Sequence, residues 1–406
     1  METNNILSKL DTNTMGIFNI IRHNGPLTVT GLMEVTQTPR TTLNRNIKEL
    51  LERKLIKQEG TDSSSGGRPP ALFSVNPDGV YTIGMELSRS NIRLLICNTI
   101  LEPIWIYDMP INTNSTPEEV FPKIFSILND AIDASIPDKQ RLIGTGIGSV
   151  GPLDLKKGIL LNPSSFPNTS WTNINLKELF ESNLKIPTFV ENGASTAVMG
   201  EYAKNASKGI HNIIYINVGV GMRCGVVLRG HLLGGDGNAE GAFAHMVLKP
   251  GGRSCYCGNY GCAESYVTIP AIIKEFQYEL RKGKESILMS NMSVDEITFK
   301  DICTAAKNND FLATEVIENA AVYTGLAIAN IINVLHPQMI VLGGMIPDNS
   351  KYYYNRTIEV AKKNIYNPGH LKYVFCPPSL GHNTIAAGAA ALALSKYVKG
   401  GFKNAV

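Results

Sequence analysis

The sequence is short of net charge. Lys and Arg total 38 against 35 Asp and Glu, leaving +3 over 406 residues. So even a balance excludes a globally basic nucleic-acid binder, and any basic surface has to be local. Long apolar runs are missing too. The most apolar stretch, 326–342, is broken by Asn330, Asn333, His336 and Pro337, which excludes a membrane span there. The opening METNNILSKLDTNT holds acidic and amide side chains and no apolar core, so no secretory signal is expected. Cysteine is scarce and odd in number. Of seven, Cys97, Cys224, Cys303 and Cys376 stand alone, which excludes a disulfide framework and fits a reducing cytoplasm. What remains is 43% hydrophobic, a globular composition, and the length calls for two or three domains.

The other three cysteines crowd together. His245, Cys255, Cys257 and Cys262 lie within eighteen residues, among turns marked by Gly251, Gly252, Gly258 and Gly261. Three thiolates and one imidazole are the donor set of a closed tetrahedral zinc site. A loop this short has no core of its own, and a metal would fix it where packing cannot. With four protein ligands no coordination position stays open, so the expected role of zinc is structural.

The first 76 residues predict a DNA-binding domain. Met15, Ile17, Phe18, Ile20 and Ile21 give 13–23 one apolar face, and Asn24-Gly25-Pro26 ends it. A second short helix is expected over 29–35, with Leu32 and Val35 inward. In the third, Thr38 is the expected N-cap and Pro39 the first helical residue, with Leu43, Ile47, Leu50 and Leu51 in one stripe. The opposite face carries Arg40, Thr41, Asn44, Arg45 and Lys48, and 40–57 holds six Lys/Arg against two Glu. Three helices with a basic, polar third are what a helix-turn-helix needs. Arg40, Arg45 and Lys48 are expected on phosphates or base edges, and Thr41 and Asn44 on bases. Strands over 55–57 and 71–75, joined by EGTDSSSGGRPP, make a wing whose tip would place Arg68 in a minor groove; the plain alternative is a flexible linker.

Beyond Asn76-Pro77-Asp78-Gly79 strands and helices alternate. The order β-β-β-α-β-α is then repeated, with a glycine turn after the first strand of the repeat, which predicts two related α/β lobes around a cleft. Within this texture stand GIGSVGPLD (146–154), VENGASTAVMGE (190–201), INVGVG (216–221), the Cys/His loop and VLGG (341–344). Together they resemble the ROK family of sugar kinases and sugar-responsive repressors, over about residues 80–400. The resemblance implies a two-lobed actin/hexokinase-like ATPase fold behind the winged helix-turn-helix. Its expected divisions are 1–76 for DNA binding, 77–192 for a smaller lobe on which 384–399 packs back, and 193–406 for a larger lobe with the zinc loop.

The same resemblance implies Asn192, His245 and Glu264 as sugar contacts, His245 serving the metal as well. Kinase members carry an Asp base where this chain has Gly193, and general-base help is worth about 10²–10⁴-fold in rate. Their first phosphate turn has a glycine pair where this chain reads Ser88-Arg89, whose side chains obstruct close backbone approach. Gly219-Val220-Gly221 and Gly343-Gly344 survive and are read as tight turns. A family Glu before the zinc-loop His is replaced by Ala242, with Glu240 two residues earlier. Trp171 and Phe166 either wall the cleft or belong to a core. The expectation is therefore no enzyme but a cytoplasmic, sugar-responsive repressor of carbohydrate genes, binding a double-stranded operator as a homodimer or tetramer. Its rivals are a sugar kinase with an appended DNA-binding domain and a ligand-independent DNA-binding dimer.

Overall fold

The computed structural model describes residues 5–61, 70–163, 166–234, 239–290, 292–366, 369 and 372–398. They form two compact units, 1–211 with 380–406, and 212–379.

The first unit opens with α1 (Thr12–Asn24), α2 (Val29–Thr36) and α3 (Arg40–Glu52). Asp11 and Thr28 cap the first two, accepting from the N–H groups of Thr14 (2.8 Å) and Gly31 (3.1 Å). The third departs from expectation. Pro39, not Thr38, is its N-cap and offers no side-chain bond, while the Thr38 hydroxyl donates back to the Thr36 carbonyl at 3.3 Å. Val35, expected inward, is 42% exposed, because so short a helix buries only Leu32. β1 (Ile56–Thr61) and β2 (Ala71–Val75) pair antiparallel as the wing; the tip that carries Arg68 lies outside the described residues.

This winged helix does not hang on a tether. Leu7, Ile17, Phe18, Leu43, Leu50 and Leu55 share one buried cluster with Ile143, Leu394 and Val398 from the α/β part. The Ile6 N–H donates to the Gln140 carbonyl at 3.0 Å, and the Arg141 guanidinium to the carbonyls of Gly79 (2.7 Å) and Arg53 (3.2 Å).

The α/β part of this unit holds β3 (Tyr81–Leu87), β4 (Asn91–Cys97), β5 (Pro103–Pro110), β6 (Leu142–Ser149) and β10 (Thr188–Asn192), in the order β10-β6-β3-β4-β5. β3, β4 and β5 run antiparallel, and β3, β6 and β10 parallel. Helices α4 (Pro117–Ser135), α5 (Leu176–Leu184) and α6 (Gly193–Asn205) connect them, beside a small sheet of β7 (Leu153–Asp154), β8 (Ile159–Leu160) and β9 (Ile174–Asn175). Trp171 is fully buried with Phe166 and Phe121 around it and donates to the Ser115 carbonyl at 2.8 Å, so these aromatics are core.

In the second unit β11 (Ile213–Val218), β12 (Met222–Leu228), β13 (His231–Leu232), β14 (Met339–Gly343) and β15 (Val374–Cys376) form a sheet ordered β13-β12-β11-β14-β15. Its first three strands are again antiparallel and its β11, β14 and β15 parallel. Two sheets of one connectivity are the internal repeat of the actin/hexokinase-like fold. Around this one lie α7 (Glu264–Val267), α8 (Ile269–Arg281), α9 (Phe299–Lys307), α10 (Phe311–Leu335), α11 (Met345–Asn349) and α12 (Lys351–Asn364). The last helix, α13 (Thr384–Tyr397), belongs to the first unit. No described helix is long and apolar enough to cross a membrane.

Candidate DNA-reading face, metal centre and effector residues

On α3 the spacing resolves into two faces. Leu43, Asn46, Ile47 and Leu50 are buried, and Arg40, Thr41, Asn44, Arg45 and Lys48 are all exposed. Lys48 makes an exposed contact with Glu52 at 3.8 Å, worth too little to hold it from another partner. The Asp11 carboxyl is held below its usual range, first by the Thr14 N–H and in smaller part by Arg45.

The Cys/His-loop residues come together as their spacing predicts. One donor atom from each of His245, Cys255, Cys257 and Cys262 lies within 4.8 Å of all the others, and such a cluster can hold a metal ion. Cys255 Sγ is 3.5 Å from His245 Nδ1, and the sulfurs of Cys257 and Cys262 are 3.7 Å apart. The loop is shaped for this. The Cys255 N–H donates to the Asn259 carbonyl (2.8 Å), the Gly258 N–H to the Cys255 carbonyl (3.0 Å), and Gly258 and Gly261 take φ of +91° and +78°. Burial, then the charge of Arg223, keeps the His245 imidazole below its ordinary pKa, in the neutral form that ligates metals. Its Nε2 is 3.3 Å from the hydroxyl of the exposed Tyr256.

Glu264 and His245 lie in the second unit and Asn192 in the first. Glu264 is 7% exposed, and its Oε2 accepts from the Met222 N–H at 2.9 Å, with Arg223 Nη1 at 3.7 Å. It thus fixes the start of β12 behind the Gly219-Val220-Gly221 turn. Arg223 was not singled out in the sequence, although a cation two residues after a glycine turn is a legible signal. Asn192 is the N-cap of α6, its Oδ1 accepting from the Ala194 N–H at 2.9 Å.

Gly193 is the first residue of that helix. A Cβ there would meet nothing closer than Ile385 at 3.6 Å, so sterics do not demand glycine. The turn after β3 is closed on itself, with the Ser88 hydroxyl donating to the Asn91 carbonyl (2.8 Å) and accepting from the Asn91 N–H (3.0 Å). Glu86, at the end of β3, is raised to about 7 by burial, against the lowering effect of Arg93 opposite it on β4. Arg93 in turn forks onto Asp108 at 2.7 and 3.1 Å.

A sequence model of the ROK family matches residues 83–396. The chain belongs to the ROK family. A model of the MarR family matches residues 9–68 of this ROK protein, the winged-helix part. It is 28% identical to a xylose repressor of Bacillus spizizenii over 93% of this chain and 94% of that one. It is also 30% identical to a glucokinase of Halalkalibacterium halodurans, over 65% of this chain and 80% of the kinase. A solved ROK transcriptional regulator, a homologue of the Escherichia coli MLC protein, superposes with a TM-score of 0.75 at 23% identity, covering 96% of this chain and 99% of that one. The ROK protein is a DNA-binding transcriptional regulator of sugar metabolism.

Proposed function

We propose that this ROK regulator is a cytoplasmic repressor without kinase activity, whose operator affinity is set by a sugar of the xylose type. One observation carries the reading: the residue at the base position is Gly193, in a chain whose α3 turns Arg40, Thr41, Asn44, Arg45 and Lys48 to solvent. A glycine accepts no proton, and the self-closed turn at Ser88 spends on Asn91 backbone groups that a phosphate cradle would need. Residues 1–76 read DNA, Arg68 in the minor groove included, and 77–406 hold the effector and pair two copies. A homodimer sets two α3 helices about 34 Å apart on an inverted repeat. Asn192, His245 and Glu264 contact the effector's hydroxyls.

The metal is zinc. Around a tetrahedral zinc with Zn–S of about 2.3 Å and Zn–N of about 2.0 Å, two sulfurs stand ~3.8 Å apart and a sulfur and nitrogen ~3.5 Å. The pairs Cys257–Cys262 at 3.7 Å and Cys255–His245 at 3.5 Å fit both spacings. Bound there, zinc supplies rigidity to the loop. Operator binding followed by fluorescence anisotropy while xylose and related sugars are titrated in tests the reading, alongside ATP consumption with the same sugars. A shift in operator affinity without ATP turnover is expected; sugar-dependent turnover would overturn it.

A further inference from the structure

Between the effector residue Asn192 and the reading helix α3 there is a continuous run of tightly packed elements, all within the first unit. Asn192 caps one end of α6, whose thirteen residues span about 20 Å. At the other end Tyr202, 6% exposed, sets its ring against His23 of α1, with centroids 5.8 Å apart, and against His211 at 6.5 Å. From α1, Ile17, Phe18 and Ile21 pack in one core with Leu43, Ile47 and Leu50 of α3.

The middle of the run has no slack. A Cβ on Gly388 of α13 would stand 1.9 Å from the Thr196 carbonyl of α6, and one on Gly200 of α6 would stand 3.0 Å from Gly388 Cα. On its other side α13 lies so close to the sheet that a Cβ on Gly84 or Gly146 would stand 1.9 or 1.8 Å from the carbonyls of Ala386 and Ala389. Backbones in such contact shift together or not at all. The far end of α13 also reaches the winged helix, through Leu394, Val398 and the Tyr397 hydroxyl, which accepts from the Asn5 amide.

One junction in the run is poorly stabilised. Arg22, in the last turn of α1, donates to Asn19 Oδ1 at 3.0 Å and faces His23 Nε2 at 2.6 Å, yet its buried Nε has no partner among the described residues. Burial pulls Arg22 down to about 10 against the raising effect of Tyr202, and no carboxylate among the described residues is paired with it. A half-buried cation whose Nε lacks a partner makes the docked state costly. That is what a switch needs: two states close enough in free energy for a ligand to choose between them.

We infer that α6 and α13 move as one rigid lever, and that the contact of Tyr202 with His23, beside Arg22 on α1, is the joint through which effector state reaches the winged helix. Tyr202 is then a positioning residue for the response, touching neither sugar nor DNA. The inference rests on the proposed regulatory reading. Because coupling is reciprocal, DNA alone reports on the lever. The probe is an operator duplex selected on the full-length protein, and the readout is amide hydrogen exchange over 193–205 with and without it, together with operator affinity with and without xylose.

In the wild type, operator binding is expected to change exchange in α6. Tyr202→Ala should abolish that change and bring any sugar-dependent ratio of operator affinities, typically about 5–150-fold for such coupling, toward one. Tyr202→Phe keeps the ring and should keep the coupling. Arg22→Met guards against simple misfolding: it removes the half-buried charge with its unpartnered Nε, should raise the melting temperature, and should lose the coupling as well. Operator binding with no change over 193–205 in the wild type would overturn the lever while leaving the regulator reading intact. So would full coupling in both Tyr202→Ala and Arg22→Met. A chain that selects no operator would overturn the regulator reading itself, and the lever with it.

Discussion

Glu86 is a buried carboxyl just ahead of the turn after β3. Burial raises it to about 7 from an ordinary 4.5. Between those values the folded chain holds a proton that the unfolded chain has released. Stability contributed by the neutral form is therefore full below the unfolded pKa and is lost as pH rises through about 7. Glu86→Gln should flatten that decline; urea midpoints at pH 5 and pH 8 measure it, and an unchanged difference between them would remove Glu86 as its source. In the sequence this residue is one more acidic side chain at the end of a strand. Its titration is set first by burial and then by Arg93 and Asp108 on neighbouring strands, which only the sheet register brings alongside.

Among the elements, α3 and the Cys/His loop were the most legible. The 3.6-residue period separates buried Leu43, Ile47 and Leu50 from exposed Arg45 and Lys48 without any tertiary information. Arg45→Ala should weaken operator binding by roughly 1–3 kcal/mol if Arg45 reads a base, and anisotropy titrations against matched and mutated operators distinguish a base contact from a phosphate contact. For the loop, four donors at short spacing announced a metal site. Cys257→Ser should lower bound zinc, read by metal analysis, and loosen the segment 245–264, while the winged helix keeps its fold. Two details escaped. The start of α3 depends on how Thr38 and Pro39 divide the capping role, and Tyr256 at His245 Nε2 depends on the path of the loop rather than on its composition.

At the scale of the molecule, the winged helix and the first sheet share one core. Leu394, from the last helix, is fully buried in it. Leu394→Ala should destabilise the full-length protein by about 2–5 kcal/mol in urea unfolding, the usual cost of a cavity at a buried leucine. A loss below half a kcal/mol would mean that the C-terminal helix does not seat the DNA-binding domain. The packing has a second consequence. Gly84, Gly146 and Gly388 are places where a backbone carbonyl comes within about 2 Å of where a Cβ would stand, so each glycine is a close approach rather than a flexible turn.

The sequence by itself determined the order of elements, the duplicated α/β pattern, the polar face of α3, the close spacing of the four Cys/His donors and the glycine at position 193, because periodicity, turn residues and donor spacing are local properties. Only the tertiary structure decided that Trp171 and Phe166 are core, that Arg223 stands beside Glu264, and that α6 and α13 lock together against α1. Those contacts join residues far apart in the chain, and a sequence records which side chains are available for them but not which backbones approach closely enough to make them.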